Sequence, residues 1–329
     1  MRECPHLPEK LSSLFRAQDY ITGTQFKIAL CRSCGFTVTS PQPSSEELPR
    51  FYSPGYYGVP TANRFPSMVE KLQRYLNGLR ARQVESCNGR RQGRVLDVGC
   101  GRGFLLKVFQ KRGWEVTGTE LSDWAANCAR GVLGLPVLTG NLQELNLPAN
   151  HFDAVVMWHV LEHVPDPRST LAEVHRILKQ DGVFMIGVPN FGAWEARFSR
   201  DKWFHLDVPR HLTHFTKDTL QRALLDTGFQ VKTRYGSAPE YDVFSFIQSC
   251  QNRIGLRHNL LYELLRRRDA KIFSGRAATL LQVVASILLA IPLGILSLPF
   301  TLVAGLLHQG GTMTVLAIKN RSTIENTER

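Results

Sequence analysis

Between Val95 and Val188 the chain alternates short apolar runs with stretches of helical spacing. Val95 to Val98, Trp114 to Thr119, the short Pro136 to Thr139, Phe152 to Trp158 and Gly182 to Val188 read as strands. Runs with so little polarity suit strands buried on both faces. A helix is predicted from Ser122 to Val132, with Ser122 as N-cap, and another starts near Thr216. Strands alternating with helices at this spacing predict an α/β fold, a twisted, mostly parallel sheet with helices on both faces.

The first of these strands ends in the segment VLDVGCGRGF, Val95 to Phe104. Glycines at Gly99, Gly101 and Gly103 let the backbone turn sharply and bring a ligand against the main chain, where a Cβ would clash. The pattern is G-x-G-x-G, because Phe104 stands where a dinucleotide fold has its last glycine. Glu120 closes the next strand about twenty residues on, where an acid accepts hydrogen bonds from both hydroxyls of a ribose. The strand Phe152 to Trp158 runs into His159-Val-Leu-Glu-His163. This H-x-x-E-H spacing matches inverted zinc peptidases, whose motif needs a long helix showing both histidines to a metal. Here the segment follows a strand and meets Pro165, so the peptidase reading is set aside.

VLDVGCGRG, Glu120, FDAVVMWHVLEHVPDP and RILKQDGVFMIGVPN together resemble the class I S-adenosylmethionine-dependent methyltransferases, in particular the ubiquinone-biosynthesis O-methyltransferases. The resemblance covers about Leu72 to Gly236 and implies a Rossmann-like sheet. It implies that Asp97, Gly99, Gly101 and Gly103 surround the amino-acid end of the cofactor. Glu120, followed by Leu121, would hold its ribose, and Asn141-Leu142 would lie beside its adenine, where many relatives carry Asp. It also implies that Thr312 to Lys319 is the antiparallel last strand, following Phe229 to Tyr235.

An acceptor hydroxyl benefits from a base, worth about 10²–10⁴-fold, and residues after the fourth strand face the crevice where ligands bind. His159, Glu162 and His163 are the first candidates. Two readings stand: His163 is the base, or Trp158 and His159 shape the cofactor pocket while Glu162 and His163 bond locally. A second cluster, Trp203-Phe-His-Leu-Asp-Val-Pro-Arg210-His211-Leu-Thr-His214, resembles the family's lid over the acceptor. There Trp203 and Arg210 would meet the acceptor, with Arg210 pairing an anionic group, and His211 or His214 would take its proton. In the alternative, His214 and Phe215 only cap the helix at Thr216. Three histidines there suffice for a metal, although their spacing does not favour one.

The ends add three features. Residues 1–58 read as a zinc-ribbon-like segment, with Cys31 and Cys34 as a knuckle and only Cys4 and His6 as upstream partners for structural zinc. Residues 59–239 are the methyltransferase domain, 240–310 a basic amphipathic region and membrane hairpin, 311–320 the last strand, and 321–329 a polar tail. From Ala277 to Ile318 there is no Asp, Glu, Lys or Arg, and Thr279 to Leu307 exceeds the roughly 20 residues that span a bilayer core. Pro292-Leu-Gly294 divides this segment, and Arg266–Arg268, Lys271 and Arg276 precede it as a basic collar. A hairpin dipping into one leaflet would return the chain to its last strand.

The 40 basic against 28 acidic residues are thereby assigned to anionic lipid headgroups, with no nucleic-acid partner expected. Seven cysteines, an odd number, point to a reducing compartment. The expected protein is a methyltransferase on the cytoplasmic face of a membrane, O-methylating a small or lipid-linked acceptor. The alternatives are a soluble-metabolite or protein acceptor with the hairpin as anchor only, and a non-catalytic cofactor-binding scaffold.

Overall fold

The computed structural model describes residues 6, 8–44, 46–51, 67–236, 238–265 and 277–319. Cys4, the basic collar at 266–276 and the tail at 321–329 lie outside them. The chain opens with three antiparallel strands, β1 (Leu11–Gln18), β2 (Gln25–Cys31) and β3 (Thr37–Ser40). After helix α1 (Ser67–Asn88) come β4 (Arg94–Val98), α2 (Phe104–Lys111), β5 (Glu115–Glu120), α3 (Asp123–Leu133) and β6 (Val137–Thr139). There follow β7 (Phe152–Trp158), α4 (Pro167–Ile177), β8 (Leu178–Pro189), α5 (Trp194–Ser199), β9 (Thr213–His214), α6 (Lys217–Asp226) and β10 (Phe229–Gly236). The last elements are α7 (Pro239–Arg253), α8 (Leu260–Leu265), α9 (Ala277–Leu306) and β11 (Thr312–Lys319).

The large sheet has the order β10-β11-β8-β7-β4-β5-β6. Strands β4 to β8 pair in parallel, and β11 runs antiparallel between β8 and β10. Alternation along the strands explains their apolar sequences. Val95, Ala154, Val156 and Met185 pack toward α1, α2 and α3, while Leu96, Val155, Met157 and Ile186 pack toward α4 and α6. With helices on both faces, neither set reaches water.

The N-terminal strands are stitched to the second histidine cluster. β3 pairs antiparallel with β9, Thr37 opposite His214 and Val38 opposite Thr213, so four strands form one small sheet.

The predicted hairpin is corrected: Ala277–Leu306 is a single helix with Pro292 and Pro299 inside it. It runs antiparallel to α7, which holds both halves in line. Gln251 meets Ser286, Ile247 faces Gly294, and Phe246 packs at a tilt against Phe300. Ser297 Oγ donates to Gly294 O and Thr301 Oγ1 to Leu298 O, occupying carbonyls in the turns around the prolines. The helix is long and apolar enough to cross a membrane by length and composition, yet one face lies along α7 and α8. Val283, Ser286, Ser297, Thr301 and Ala304 are buried, while Leu281, Leu288, Ile291, Ile295, Leu298 and Leu302 are exposed. The polarity is inverted, with hydroxyls facing the protein and leucines facing out. The expected amphipathic layer before it is also revised, because α7 buries polar side chains (Ser245, Gln248, Ser249, Gln251 and Asn252) against its neighbours.

Candidate active site

The carboxyl end of β4 is shaped by Gly99, Gly101 and Gly103, all at positive φ (64°, 55° and 79°), a region costly for any residue with a Cβ. Their tasks differ. A Cβ on Gly99 would meet Val160 Cγ2 at 2.5 Å, and one on Gly103 would meet Leu135 Cδ1 at 2.5 Å. A Cβ on Gly101 would meet nothing within 4 Å; it would stand in the open space of a cavity of about 900 Å³. Gly99 and Gly103 thus let the turn and α2 pack, and Gly101 keeps the wall clear.

Glu120 lines the same cavity. The Gly101 amide donates to its Oε2 (2.8 Å) and the Ser122 amide to its Oε1 (2.9 Å), leaving lone pairs for further donors. Burial raises its pKa, while these backbone hydrogen bonds oppose the rise. Asp97 is buried and is not on the wall; burial and the charge of Glu120 push its carboxyl up to about 8. Leu121, Asn141 and Leu142 also line the cavity.

Trp158 and His159 form the next part of the wall. The Arg80 guanidinium lies 3.9 Å from the centre of the Trp158 ring and is ion-paired with Glu240, which tethers α1 to α7. Gly187 makes room for the indole, since a Cβ there would meet Trp158 Cε3 at 2.7 Å. His159 has φ 54° and its ring packs 4.7 Å from Tyr241, centre to centre. Its Nδ1 is 3.1 Å from Glu162 Oε1, and its Nε2 is buried without a hydrogen-bond partner among the described residues. Arg80, Glu240, Gly187 and Tyr241 escaped the sequence reading. A lone glycine in an apolar strand was the only usable signal.

His163 and His211 meet across the cavity wall with ring centres 4.6 Å apart. His163 Nδ1 lies 2.9 Å from Arg210 O, and His211 Nδ1 lies 2.8 Å from His205 O. A carbonyl only accepts, so each Nδ1 carries the proton and each Nε2 keeps its lone pair. Burial holds both rings neutral, lowering each pKa to about 4.

Three of the residues expected on the acceptor side lie elsewhere. Trp203 is enclosed among Ala17, Phe26, Ile28 and Leu206, because the N-terminal strands cover it. Arg210 is fully buried and spends its guanidinium on Asp207 Oδ1 (2.7 Å), Asp19 Oδ1 (2.9 Å) and Phe51 O (2.8 Å), so it has no fork left for an acceptor anion. His214 is buried in the small sheet, its Nε2 3.0 Å from Thr39 Oγ1, and does not reach the cavity. Nor does it cap α6; Thr216 does, in a capping box with Thr219.

At the N-terminus, one donor atom each from His6, Cys31 and Cys34 lies within 4.8 Å of the others. Cys4, the fourth expected ligand, is outside the described residues.

A parallel α/β sheet with a glycine turn, a ribose-type acid and a deep cavity at the strand ends defines a nucleotide-cofactor enzyme class. The family model for a methyltransferase domain matches residues 68–233, and the chain belongs to this family, the class I S-adenosylmethionine-dependent methyltransferases. It is 38% identical over 116 residues to a ubiquinone biosynthesis O-methyltransferase of Alkalilimnicola ehrlichii, covering 32% of this chain and 46% of that protein. It is 33% identical over 142 residues to the one of Aromatoleum aromaticum, covering 41% and 58%. The chain thus spans about half the length of the curated relatives it matches. A Galdieria sulphuraria structure described as a sarcosine dimethylglycine methyltransferase superposes with TM-score 0.51 at 14% identity, covering 78% of this chain and 91% of that one. That likeness concerns the fold.

Proposed function

We propose that this protein transfers a methyl group from S-adenosylmethionine to a hydroxyl of an amphiphilic or lipid-linked acceptor, at the cytoplasmic face of a membrane. One observation carries the reading. The cavity that begins at Gly101 and Glu120 is lined also by Ile247 and Phe244 of α7 and by Leu298, a residue on the exposed apolar face of α9. An apolar tail embedded beside α9 therefore has a continuous path to the cofactor end.

The residues fit the cofactor: Gly101 leaves the space a Cβ would fill, and Glu120 presents a fixed carboxylate to a diol. Bound S-adenosylmethionine supplies a methyl already activated on a sulfonium. The protein's part is to align the acceptor and exclude water, which is worth about 7–11 kcal/mol. Trp158, braced by Arg80, and Tyr241 wall the middle of the cavity. His163, with its Nε2 lone pair free of hydrogen bonds among the described residues, is the candidate base, and His159 and His211 flank it. Outward-facing leucines on α9 favour a monotopic seat on the membrane. We infer that His6, Cys31 and Cys34, with Cys4, hold a structural zinc.

Equilibrium binding of S-adenosylmethionine to the purified full-length protein tests the first half of the reading. One equivalent should bind, and Gly101→Val should abolish it. Binding unchanged by Gly101→Val would place the cofactor elsewhere and overturn the assignment of this cavity.

A further inference from the structure

We propose that Tyr20, Asp207 and Asn259 form a pocket for a polyhydroxylated head group, a saccharide ring, on the acceptor side of the cavity. This deepens the methyltransferase reading and rests on it for the chemistry, while the pocket itself rests on geometry. All three residues line the cavity, and three distant parts of the chain bring them together. The Arg210 guanidinium holds Asp207 and lies 4.9 Å from the centre of the Tyr20 ring. His258, next to Asn259 in the chain, stacks on Tyr20 with ring centres 5.9 Å apart. The His211 amide donates to Asp207 O (3.0 Å), so the pocket adjoins the His163–His211 pair.

Asn259 supplies a donor whose direction the surrounding network dictates. The Tyr262 amide donates to Gln248 Oε1 (2.9 Å), so Gln248 Nε2 is the atom that donates to Asn252 Oδ1 (2.9 Å). Asn252 Nδ2 then donates to Lys202 O (3.0 Å) and to Asn259 Oδ1 (3.1 Å). Backbone groups at both ends of this relay thus fix which way each amide points. Asn259 is 2% exposed, and its Nδ2 makes no hydrogen bond among the described residues. A buried amide donor in that state costs free energy unless an acceptor in the cavity meets it. Asp207 supplies the complementary acceptor. Arg210 Nε and Nη2 both bind its Oδ1 (2.9 and 2.7 Å), and its Oδ2 makes no hydrogen bond among the described residues. Burial works to raise its pKa, yet the Arg210 charge brings it down to about 2, so Oδ2 stays ionised.

A fixed anion beside a fixed donor selects the head. An anionic group is repelled by Asp207, because the local cation, Arg210, is already committed to Asp207 and Asp19. A hydroxyl both donates and accepts, so it suits either partner. A head with a single hydroxyl, spent at His163, leaves both groups unpaired, and a site built to bind hydroxyls discriminates strongly against ligands that lack them. A ring with several hydroxyls meets every demand: one donates to Asp207 Oδ2, one accepts from Asn259 Nδ2, and a third reaches His163. Its apolar tail follows Phe244, Ile247 and Leu298 to the exposed face of α9. At the third hydroxyl the proton passes to His163 Nε2, the oxygen forms its bond to the methyl carbon, the carbon–sulfur bond breaks, and the neutral thioether departs.

The test incubates full-length protein with methyl-labelled S-adenosylmethionine, native membranes and cytosol, with Gly101→Val protein as the blank, and hydrolyses the organic extract in acid. Label should leave the organic phase on hydrolysis and appear in water as an O-methyl monosaccharide, identified by mass. Label that stays in the organic phase, or sits on an aromatic ring, overturns the pocket. An O-methyl sugar already in water before hydrolysis keeps the pocket and overturns the membrane half of the reading. Asn259→Asp replaces the donor N–H by oxygen at equal size. It should raise the apparent KM for the acceptor about tenfold, the loss of one hydrogen bond, while the affinity for S-adenosylmethionine is unchanged. An unchanged KM overturns the pocket. Cofactor binding by the same samples separates the failures: no transfer with cofactor bound overturns the pocket alone, and no cofactor binding overturns the methyltransferase reading and the pocket with it. Should Asn259→Asp fail to fold, the hydrolysis product decides.

Discussion

Arg210 Nη2 donates a 2.9 Å hydrogen bond to Asp19 Oδ1, 191 positions away, and both side chains are wholly enclosed. With Asp207 on the same guanidinium, this pair locks the N-terminal strands to the loop that presents His211. Removing the cation leaves buried carboxylates uncompensated, a loss of about 3–5 kcal/mol. Arg210→Ala should therefore lower the unfolding midpoint in urea sharply. Unchanged stability combined with a raised KM for the acceptor would instead return Arg210 to the substrate.

Gly101 and Gly103 share positive φ but not surroundings. Gly101→Ala should abolish or strongly weaken cofactor binding with a stability cost of only about 1–2 kcal/mol, the backbone penalty. Gly103→Ala adds a Cβ against Leu135 and should cost more stability than Gly101→Ala. Paired thermal melts and cofactor titrations check this; the reverse ranking would mean the cavity wall has been misassigned.

Asp97 gives folding stability a pH dependence. Its carboxyl is pushed up to about 8 by burial and by Glu120, so the folded protein holds a proton there at neutral pH, whereas the unfolded chain carries an ordinary carboxylate that ionises at about 4. This contribution is fully present below about 4 and is lost as pH rises to about 8, by no more than about 1.4 kcal/mol per unit for one proton. Urea unfolding across that range should show it, and Asp97→Asn should flatten the slope; an unchanged slope would assign the proton to another group.

The outward face of α9 predicts location. Replacing Leu288, Ile291 and Ile295, all exposed, by Glu should move the protein from the membrane fraction to the soluble one while cofactor binding persists. Continued sedimentation with membranes would show that another segment anchors the chain.

Much of this was legible from residues. The strand at Phe152 to Trp158 has the bounds of β7, because a double-sided burial pattern is written in consecutive apolar residues. Thr312 to Lys319 was placed as the antiparallel strand by resemblance, and pairs so. The roles of the lid residues were not legible, since a histidine or arginine reads the same whether it faces a cavity or a buried partner. Arg210 found Asp19, and His214 found Thr39, through pairing of β3 with β9, a contact across most of the chain. The hairpin misled because Pro292 and Gly294 punctuate a turn in isolation, whereas α7 supplies a template that keeps α9 continuous. Glu162 was readable as part of a motif, but its place between His159 and His211 only appears once the two histidine segments meet.

The most direct test of methyl transfer to a membrane amphiphile uses methyl-labelled S-adenosylmethionine, the full-length protein and native membranes, followed by organic extraction. Label should enter the organic phase with the unsubstituted protein and not with Gly101→Val. Label confined to the aqueous or protein fraction, or equal in both samples, would contradict the account.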